Sequence, residues 1–338
     1  MKIDVDFKTT IKEINDYHAN KKERPRPHMG VSLLGHHCER YLWLNFRWAV
    51  IEKFEGRILR LFRRGHMEEK TIVQDLRAVG VDIQHTEGAQ SRVDFGCHVS
   101  GSIDGIIEQG LIEAPVKRHI AEFKTHGLKS FKDLCKDGVE KSKWTHYIQM
   151  QVYMLGSKIN DAFYLAVCKD NDELYTERVK LDKKLAQEYV NKGHRLAMSE
   201  RIPEPCSGAS PDWYLCKWCA AYDFCHKEKP TQEVNCRTCA NVTPTNAGEW
   251  HCYKWQDNVP VDAQYEGCPS HALHPDLVPY KRIESDQDCV AVYEIEGRAV
   301  KNGDGHYSSK EIIANPSACG EPFVNAFKSA FPTARVKG

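Results

Sequence analysis

Cysteine placement constrains this sequence more than any other feature. The chain has 14 cysteines among 338 residues, and seven of them lie between positions 216 and 268. Clustered C-x2-C pairs are typical of thiolate ligands to a metal, whereas a disulfide framework is typical of short secreted chains. The later part of the chain is therefore expected to depend on metal for its fold.

The first cysteine set has the pattern C-x2-C-x5-C at Cys216, Cys219 and Cys225. It supplies three ligands, and a closed site takes four. Cys38, far upstream, is the candidate for the fourth ligand; a neighbouring Cys or His would instead complete a local zinc site. Thiolates suit zinc and iron–sulfur clusters equally well, so the spacing leaves both open.

The second cysteine set predicts structural zinc. It combines one tight pair with two separate cysteines, and His251 or His271 could replace one of the later thiols. Its members are Cys236, Cys239, Cys252 and Cys268. The other cysteines have no ligand spacing and are expected to be ordinary small residues. They are Cys97, Cys135, Cys168, Cys206, Cys289 and Cys319.

Charge does not by itself indicate a nucleic-acid partner, because Lys plus Arg and Asp plus Glu both number 47. Such a partner would need local patches. Two are visible: N-K-K-E-R-P-R-P at 20–27, and the arginines at 57, 60, 63 and 64 on one arc of a predicted helix. No apolar run reaches the roughly 18 residues of a membrane span, and the charged N-terminus lacks a signal core. A cytoplasmic location is expected, in the host if a phage encodes the chain.

Helical signals occur on both sides of a stretch of strand signals. Ser32 is expected to cap a helix that carries Cys38 in its first turns. A second helix is expected from Gly56 to Gly80, and further helices at 127–158 and 182–201.

Strand signals lie between these helices. From about 81 to 125 the apolar period changes to two, which predicts three strands, one of them running through 92–110. A hairpin is expected around Asn171-Asp172. These patterns predict an α/β core with a mixed central sheet flanked by helices. The expected organisation is a basic arm at 1–30, the core domain at 31–230, a Cys-rich zinc-binding module at 231–280, and a C-terminal region of unknown role at 281–338.

The most informative motif in this core is G-S-I-D-G followed by A-E-F-K-T. Glu122 and Lys124 are two apart on a strand and share a face, and Asp104 ends the strand before them. Carboxylates that hold a divalent cation, with a lysine beside them, are what phosphodiester hydrolysis requires. The alternative is an exposed strand face with a weak salt bridge.

Three further residues extend the constellation. His66 lies on the apolar stripe of the second helix, where it is either a hydrogen-bonded core residue or a cation ligand. Gln149 and Tyr153 are one helical turn apart, and are either a surface pair or a pair that grips DNA or orients Lys124.

These motifs together resemble the RecB-type branch of the PD-(D/E)XK nucleases. The G-H-M near 65, G-S-I-D-G, E-F-K and Q-x3-Y occur in this order within roughly residues 30–226. The resemblance implies a restriction-endonuclease-like core and a metal-dependent DNA exonuclease. It implies Mg²⁺ or Mn²⁺ ligation by His66, Asp104, Glu122 and the carbonyl of Phe123, a catalytic Lys124, and support from Gln149 and Tyr153.

The split cysteine set is similar to that of CRISPR-associated iron–sulfur exonucleases and AddB-type nuclease domains. In those families four cysteines hold a [4Fe–4S] cluster, which implies a structural cluster on Cys38, Cys216, Cys219 and Cys225. The expected partner is DNA, single-stranded or at ends, with a role in end processing or recombination. Two alternatives remain: a non-catalytic DNA-binding protein that uses the zinc module, and a nuclease subunit that depends on a helicase or recombinase partner.

Overall fold

The computed structural model describes residues 9–21, 24–284, 289–303, 305–331 and 333–336. Parts of the expected basic arm, at 1–8 and 22–23, lie outside the described residues. The contacts divide the chain into two compact units. The first comprises Met1–His36 and Glu52–Arg195, and the second comprises His37–Ile51 and Leu196–Gly338. The boundaries expected from composition stay a prediction.

Helices and strands alternate through the described residues. The α-helices are α1 (Thr10–Ala19), α2 (Glu39–Phe46), α3 (Gly56–Ala78), α4 (Leu128–Ser142), α5 (Trp144–Ser157), α6 (Lys183–Met198), α7 (Tyr214–Lys217), α8 (Tyr222–His226), α9 (Val261–Gln264), α10 (Ser309–Ala314) and α11 (Pro322–Ala330). The strands are β1 (Met29–Gly30), β2 (Asp82–Gln84), β3 (Arg92–Asp94), β4 (Val99–Ser102), β5 (Gly105–Gln109), β6 (His119–His126), β7 (Asp161–Cys168), β8 (Leu174–Lys180), β9 (Val242–Pro244), β10 (Trp250–Cys252), β11 (Asp257–Asn258), β12 (Lys281–Glu284), β13 (Ala291–Ile295) and β14 (Arg298–Asn302).

A five-stranded mixed sheet forms the centre of the first unit. Its strand order is β2-β5-β6-β7-β8, in which only β6 and β7 run parallel. The apolar stripe of α3 covers one face, where Ile72, Val73 and Leu76 join a core with Phe123 and Leu165. The expected mixed sheet with flanking helices is confirmed, because apolar residues at helical spacing and at strand spacing meet in one core.

The strand expected through 92–110 was wrong as a single element. It is three strands: β3 and β4 pair in a small sheet with β1, and β5 belongs to the central sheet. The backbone turns between β3 and β4, where Gly96, Cys97 and His98 all have positive φ. The chain then leaves the small sheet at Ile103–Asp104, which places Asp104 where the two sheets meet.

The helix expected after Ser32 was also too long. A 3₁₀ turn covers Val31–Leu33, and α2 begins only at Glu39, so Cys38 is its N-cap residue. Gly35 explains the interruption, because a Cβ there would lie 2.8 Å from the Cα of Thr145. The chain therefore passes α5 too closely to continue as a regular helix with side chains.

The second unit is built around aromatic rings from both of its chain segments. Trp48 stacks on Tyr265 with ring centroids 4.4 Å apart, and Phe46 lies 5.3 Å from Trp250. The buried guanidinium of Arg237 sits 3.8 Å from the centroid of the Trp48 ring. Small antiparallel sheets, β9-β10-β11 and β12-β13-β14, complete the unit. No helix in the described residues is both long enough and apolar enough to cross a bilayer.

A buried carboxylate ties together the C-terminal end of this unit. Glu311 on α10 accepts hydrogen bonds from Lys328 Nζ at 2.9 Å, from Val336 N at 2.8 Å and from Ser308 N at 2.8 Å. Burial alone would favour the protonated acid, but these donors lower the pKa of Glu311 to about 2.

Glu311→Gln is therefore expected to lower the thermal unfolding midpoint of the second unit at pH 7, because the free energy of unfolding falls by about 2 kcal/mol. The carboxylate contributes its full stability above its unfolded pKa and loses it as the pH falls towards 2. The difference between the variant and the parent, followed by thermal unfolding, should thus shrink by more than half between pH 7 and pH 3. Glu294→Gln removes an exposed pair with Lys281 and should show little effect at either pH. An undiminished difference at pH 3 would contradict this account.

Candidate active site and thiol sites

Strand pairing brings the acid–lysine constellation together. Gly105 of β5 pairs with Ala121 of β6, so Asp104 reaches the β6 backbone and accepts a hydrogen bond from Phe123 N at 3.0 Å. Lys124 Nζ lies 4.0 Å from Asp104 Oδ2 and contacts Glu122 Oε1 directly. It also donates to the carbonyl of Phe123 at 3.1 Å. Two carboxylates, one ammonium and one carbonyl thus converge on a single point.

Gln149 and Tyr153 approach this point from α5. Gln149 Nε2 donates to Glu122 Oε2 at 3.0 Å, and both residues are buried. Tyr153 bonds to Gln149 and needs a glycine opposite, because a Cβ on Gly101 would lie 2.7 Å from the tyrosine oxygen. The role predicted for this pair, gripping DNA or orienting Lys124, stays a prediction; in the structure Gln149 contacts Glu122.

His66 lies on α3 at the rim of the same cleft. Its side chain is 75% exposed, and its Nδ1 is 3.8 Å from Glu69 Oε1. Glu69 is the more enclosed of the two, and burial followed by the neighbouring Asp104 raises its pKa to about 7. Glu69 lies one helical turn after His66 on the same face and was not among the site residues predicted from the sequence. The structure adds Glu69 as a third carboxylate.

The carboxylates are held under mutual repulsion. Burial, followed by Asp104 and Glu69, raises the pKa of Glu122 to about 8, with Lys124 acting in the opposite direction. Burial alone would lower the pKa of Lys124, but Glu122 and Asp104 raise it above its usual value. The positive charge of Lys124 therefore balances these carboxylates in the way that a bound metal ion would.

The donor set fits a divalent cation in its chemistry. Oxygen ligands from Asp104, Glu122, Glu69 and the Phe123 carbonyl are what Mg²⁺ and Mn²⁺ prefer. As they stand, no three or more His, Cys, Asp or Glu side chains within the described ranges form a group that could hold an ion. Lys124 contacts Glu122 at this point, so an ion bound by these carboxylates would have to displace the ammonium.

A cleft of about 600 Å³ opens onto Lys124 and Glu69. Helix α3 contributes Leu59, Phe62, Arg63 and Glu68 to its lining, and Lys21 and Arg26 line it as well. A positively charged cleft next to a carboxylate cluster suits a substrate that carries phosphates.

A polar cluster that the sequence did not reveal lies behind Lys124. The hydroxyl of buried Tyr164 is 3.0 Å from His126 Nε2 and 3.0 Å from His146 Nδ1. Burial, followed by nearby lysines, lowers the pKa of His126 to about 4, and burial lowers that of His146 well below its usual value. Both rings are therefore neutral near pH 7, which leaves Lys124 as the nearby cation.

The three cysteines of the first set and Cys38, together called the first thiol set, all lie in the second unit. A cavity of about 240 Å³ is lined by Cys38, Cys206, Cys216, Cys219 and Cys225. Cys206, expected to be an ordinary residue, bonds to Cys38 and so makes a fifth thiol in the set. Burial, with the neighbouring thiols adding to it, raises the pKa of Cys206 and that of Cys219 to about 11. Thiols this hard to ionise need a metal to become thiolates.

The second thiol set lines its own cavity of about 340 Å³. Its members are Cys236, Cys239, Cys252 and Cys268, with His271 beside them. Burial, followed by the other three thiols, raises the pKa of Cys236 to about 11. His251 instead makes a 3.1 Å contact with Asn258 Oδ1. Tetrahedral Zn²⁺ takes four ligands of this kind, although in their present positions these side chains do not form a group that could hold an ion.

Comparisons with known proteins give only distant likenesses. No family model matches the sequence, and no curated protein matches it. The crystal structure of SSO0001 has 14% identity and a TM-score of 0.37, and the alignment covers 64% of this chain and 94% of that one. An alkaline exonuclease, LHK-Exo from Laribacter hongkongensis, has 14% identity and a TM-score of 0.34, with coverage of 55% and 90%. Its complex with dAMP has 13% identity, a TM-score of 0.35 and the same coverage. At these scores the likenesses assign no activity to the chain.

Proposed function

We propose that the chain is a metal-dependent deoxyribonuclease that hydrolyses phosphodiester bonds, acts from DNA ends, and serves DNA end processing or recombination. The observation that carries the proposal is the convergence of Asp104 and Glu122 on Lys124, which lines a cationic cleft. If the ion pair of Lys124 and Glu122 served only stability, a second carboxylate, Asp104, would not be needed beside it, because burying charge costs free energy. The order of motifs that resembles RecB-type nucleases supports the exonuclease mode.

Each residue has a distinct task in this proposal. Asp104, Glu122, Glu69 and the Phe123 carbonyl would hold Mg²⁺ or Mn²⁺, with exposed His66 as a further ligand at the rim. The bound ion would polarise the phosphate and lower the pKa of the attacking water. Lys124, displaced from the carboxylates, would donate to the phosphate oxygen on which negative charge develops.

Gln149 keeps the carboxylate of Glu122 in one orientation, since its amide donates to Oε2 and leaves Oε1 facing Lys124. Tyr153 supports Gln149 from behind. Such outer contacts fix a ligand before the ion arrives. The neutral His126 and His146 bring no second positive charge to the site.

The direct test is hydrolysis of end-labelled oligonucleotides by the purified chain. Wild-type protein with Mg²⁺ or Mn²⁺ should shorten labelled strands progressively, and EDTA should stop the reaction. Binding without hydrolysis under every metal condition would instead favour a non-catalytic DNA-binding protein. Hydrolysis that requires an added helicase or recombinase would favour the dependent-subunit alternative.

We infer that the first thiol set holds a [4Fe–4S] cluster with a structural role. Cys38, Cys216, Cys219 and Cys225 are the proposed ligands, as the resemblance to iron–sulfur exonucleases implies. The cavity that brings Cys38 to the three later thiols supports this assignment. A local zinc site on Cys216, Cys219 and Cys225 would have no need of Cys38.

We propose further that the second thiol set holds one structural Zn²⁺. Cys239→Ser is expected to reduce bound zinc by about one ion per chain, because a closed site needs all four ligands. Elemental analysis measures the zinc, and limited proteolysis should show new cleavage within 231–280. Cys135→Ser, which removes an exposed thiol of the first unit, should change neither. Unchanged zinc in Cys239→Ser would contradict the assignment.

A further inference from the structure

The α3 wall of the cleft combines an exposed aromatic ring with positive charge. Phe62 lines the cleft and is 44% exposed. Phe54 supports it from behind, with ring centroids 4.9 Å apart at an interplanar angle of 84°. Arg63, the next residue, lines the same cleft and has no ion-pair partner among the described residues. An exposed aromatic ring beside positive charge is the combination on which bases of a single strand stack.

Helix α1 and the residues that follow it also line the cleft. The helix packs directly on the start of α3, where a Cβ on Gly56 would lie 1.9 Å from the carbonyl oxygen of Asn15. This contact, which only glycine permits, carries His18 and Lys21 to the cleft that Arg63 also lines. Burial, followed by the charge of Arg63 and Lys21, lowers the pKa of His18. Arg63 on α3 and Lys21 just after α1 thus bring positive charge to a channel that Glu68 and Glu69 also line.

We propose that this channel binds one nucleic-acid strand, with an unpaired base stacked on Phe62 and its phosphates held by Arg63 and Lys21. The inference rests on the proposed nuclease function and names its substrate as single-stranded DNA. Bases in a duplex already stack on one another, so a lone aromatic ring beside cations is useful chiefly to an unpaired base. The cleft, at about 600 Å³, is of the size that encloses a small ligand such as one nucleotide.

Binding should be measured in a Glu122→Gln background, so that hydrolysis does not interfere. The probes are a fluorescein-labelled oligothymidylate of about twelve nucleotides and a labelled blunt hairpin duplex, followed by anisotropy with Mg²⁺. Phe62→Ala should weaken single-strand binding about tenfold and leave duplex binding unchanged. Phe62→Trp should retain the affinity for the single strand, because stacking needs the ring and not the phenyl group itself.

Matched controls come from the next residues on the same helix. Leu61 is exposed but does not line the cleft, and Arg64 donates instead to the carbonyl of Lys169 at 3.1 Å. Arg63→Ala should reduce the slope of log affinity against log salt by about 0.7. Leu61→Ala and Arg64→Ala should leave affinity and slope as they are in the parent.

The inference and the proposed function fail in different ways. If Phe62→Ala binds the single strand as tightly as its parent, or loses affinity for both probes equally, the stacking proposal is wrong whether or not wild-type protein hydrolyses DNA. If Phe62→Ala and Arg63→Ala have the expected effects but wild-type protein never hydrolyses DNA, the chain is a single-strand binder and the nuclease assignment is wrong.

Discussion

Glu122→Gln is expected to lower the rate of DNA hydrolysis by about 10³-fold, because an amide is a weaker ligand for the ion that would polarise the phosphate. The change keeps the size of the side chain and its contact with Gln149 but removes a negative charge from the proposed ion site. Initial rates on a labelled oligonucleotide at saturating Mg²⁺ or Mn²⁺ measure it. The metal concentration for half-maximal rate should also rise.

Glu108→Gln is the matched control for this change. Glu108 lies on neighbouring β5 and pairs with Arg118 at 2.7 Å, outside the cleft. Its loss should leave the rate within about twofold, because partly exposed pairs contribute little. Unfolding midpoints of both variants separate lost chemistry from lost folding. A Glu122→Gln protein that folds and hydrolyses DNA within tenfold of wild type would remove Glu122 from the reaction and with it the proposed mechanism.

Cys38→Ser is expected to abolish the iron–sulfur cluster. Wild-type protein purified without oxygen should be brown and contain about four iron ions per chain, whereas the variant should be colourless with less than one. A loss of about 4 kcal/mol should lower the thermal midpoint of the second unit by about 10 °C. Visible absorbance, iron and sulfide analysis, and differential scanning calorimetry measure these effects.

The variant Cys206→Ser shows which four of the five thiols bind the proposed cluster. If Cys38→Ser bleaches the protein and Cys206→Ser does not, the proposed ligand set stands. If only Cys206→Ser bleaches it, the ligand set is wrong while the cluster remains. Colourless wild-type protein with two zinc ions per chain would overturn the cluster and leave the nuclease proposal intact.

The placement of the acid–lysine motif could be predicted because it depends on short-range rules. Glu122 and Lys124 must share a face on any strand, since side chains alternate with period two. The position of Asp104 could be predicted because β5 and β6 are antiparallel neighbours. The connection between them returns the chain beside β5, which brings Asp104 close to Glu122 and Lys124. The Gln149–Tyr153 pair needed only the helical repeat.

Glu69 and Cys206 could not be predicted in the same way. Glu69 becomes a third carboxylate only because α3 packs across β6, and that packing is a tertiary contact with no local signature. Cys206 has no ligand spacing to Cys216 and reaches Cys38 through irregular backbone. The division of 92–110 between two sheets likewise depends on which strands are available for pairing, which an alternating pattern does not state.

The discontinuous second unit has a consequence for the order of folding during synthesis. The segment His37–Ile51 belongs with Leu196–Gly338, and its rings at Phe46 and Trp48 contact Trp250 and Tyr265. During synthesis this apolar segment leaves the ribosome before residues 52–195 are made. It therefore has no native partners until Leu196–Gly338 follows. Exposed apolar segments of nascent chains are aggregation-prone. Translation rate and chaperone access should therefore control the yield of the second unit more strongly than that of the first.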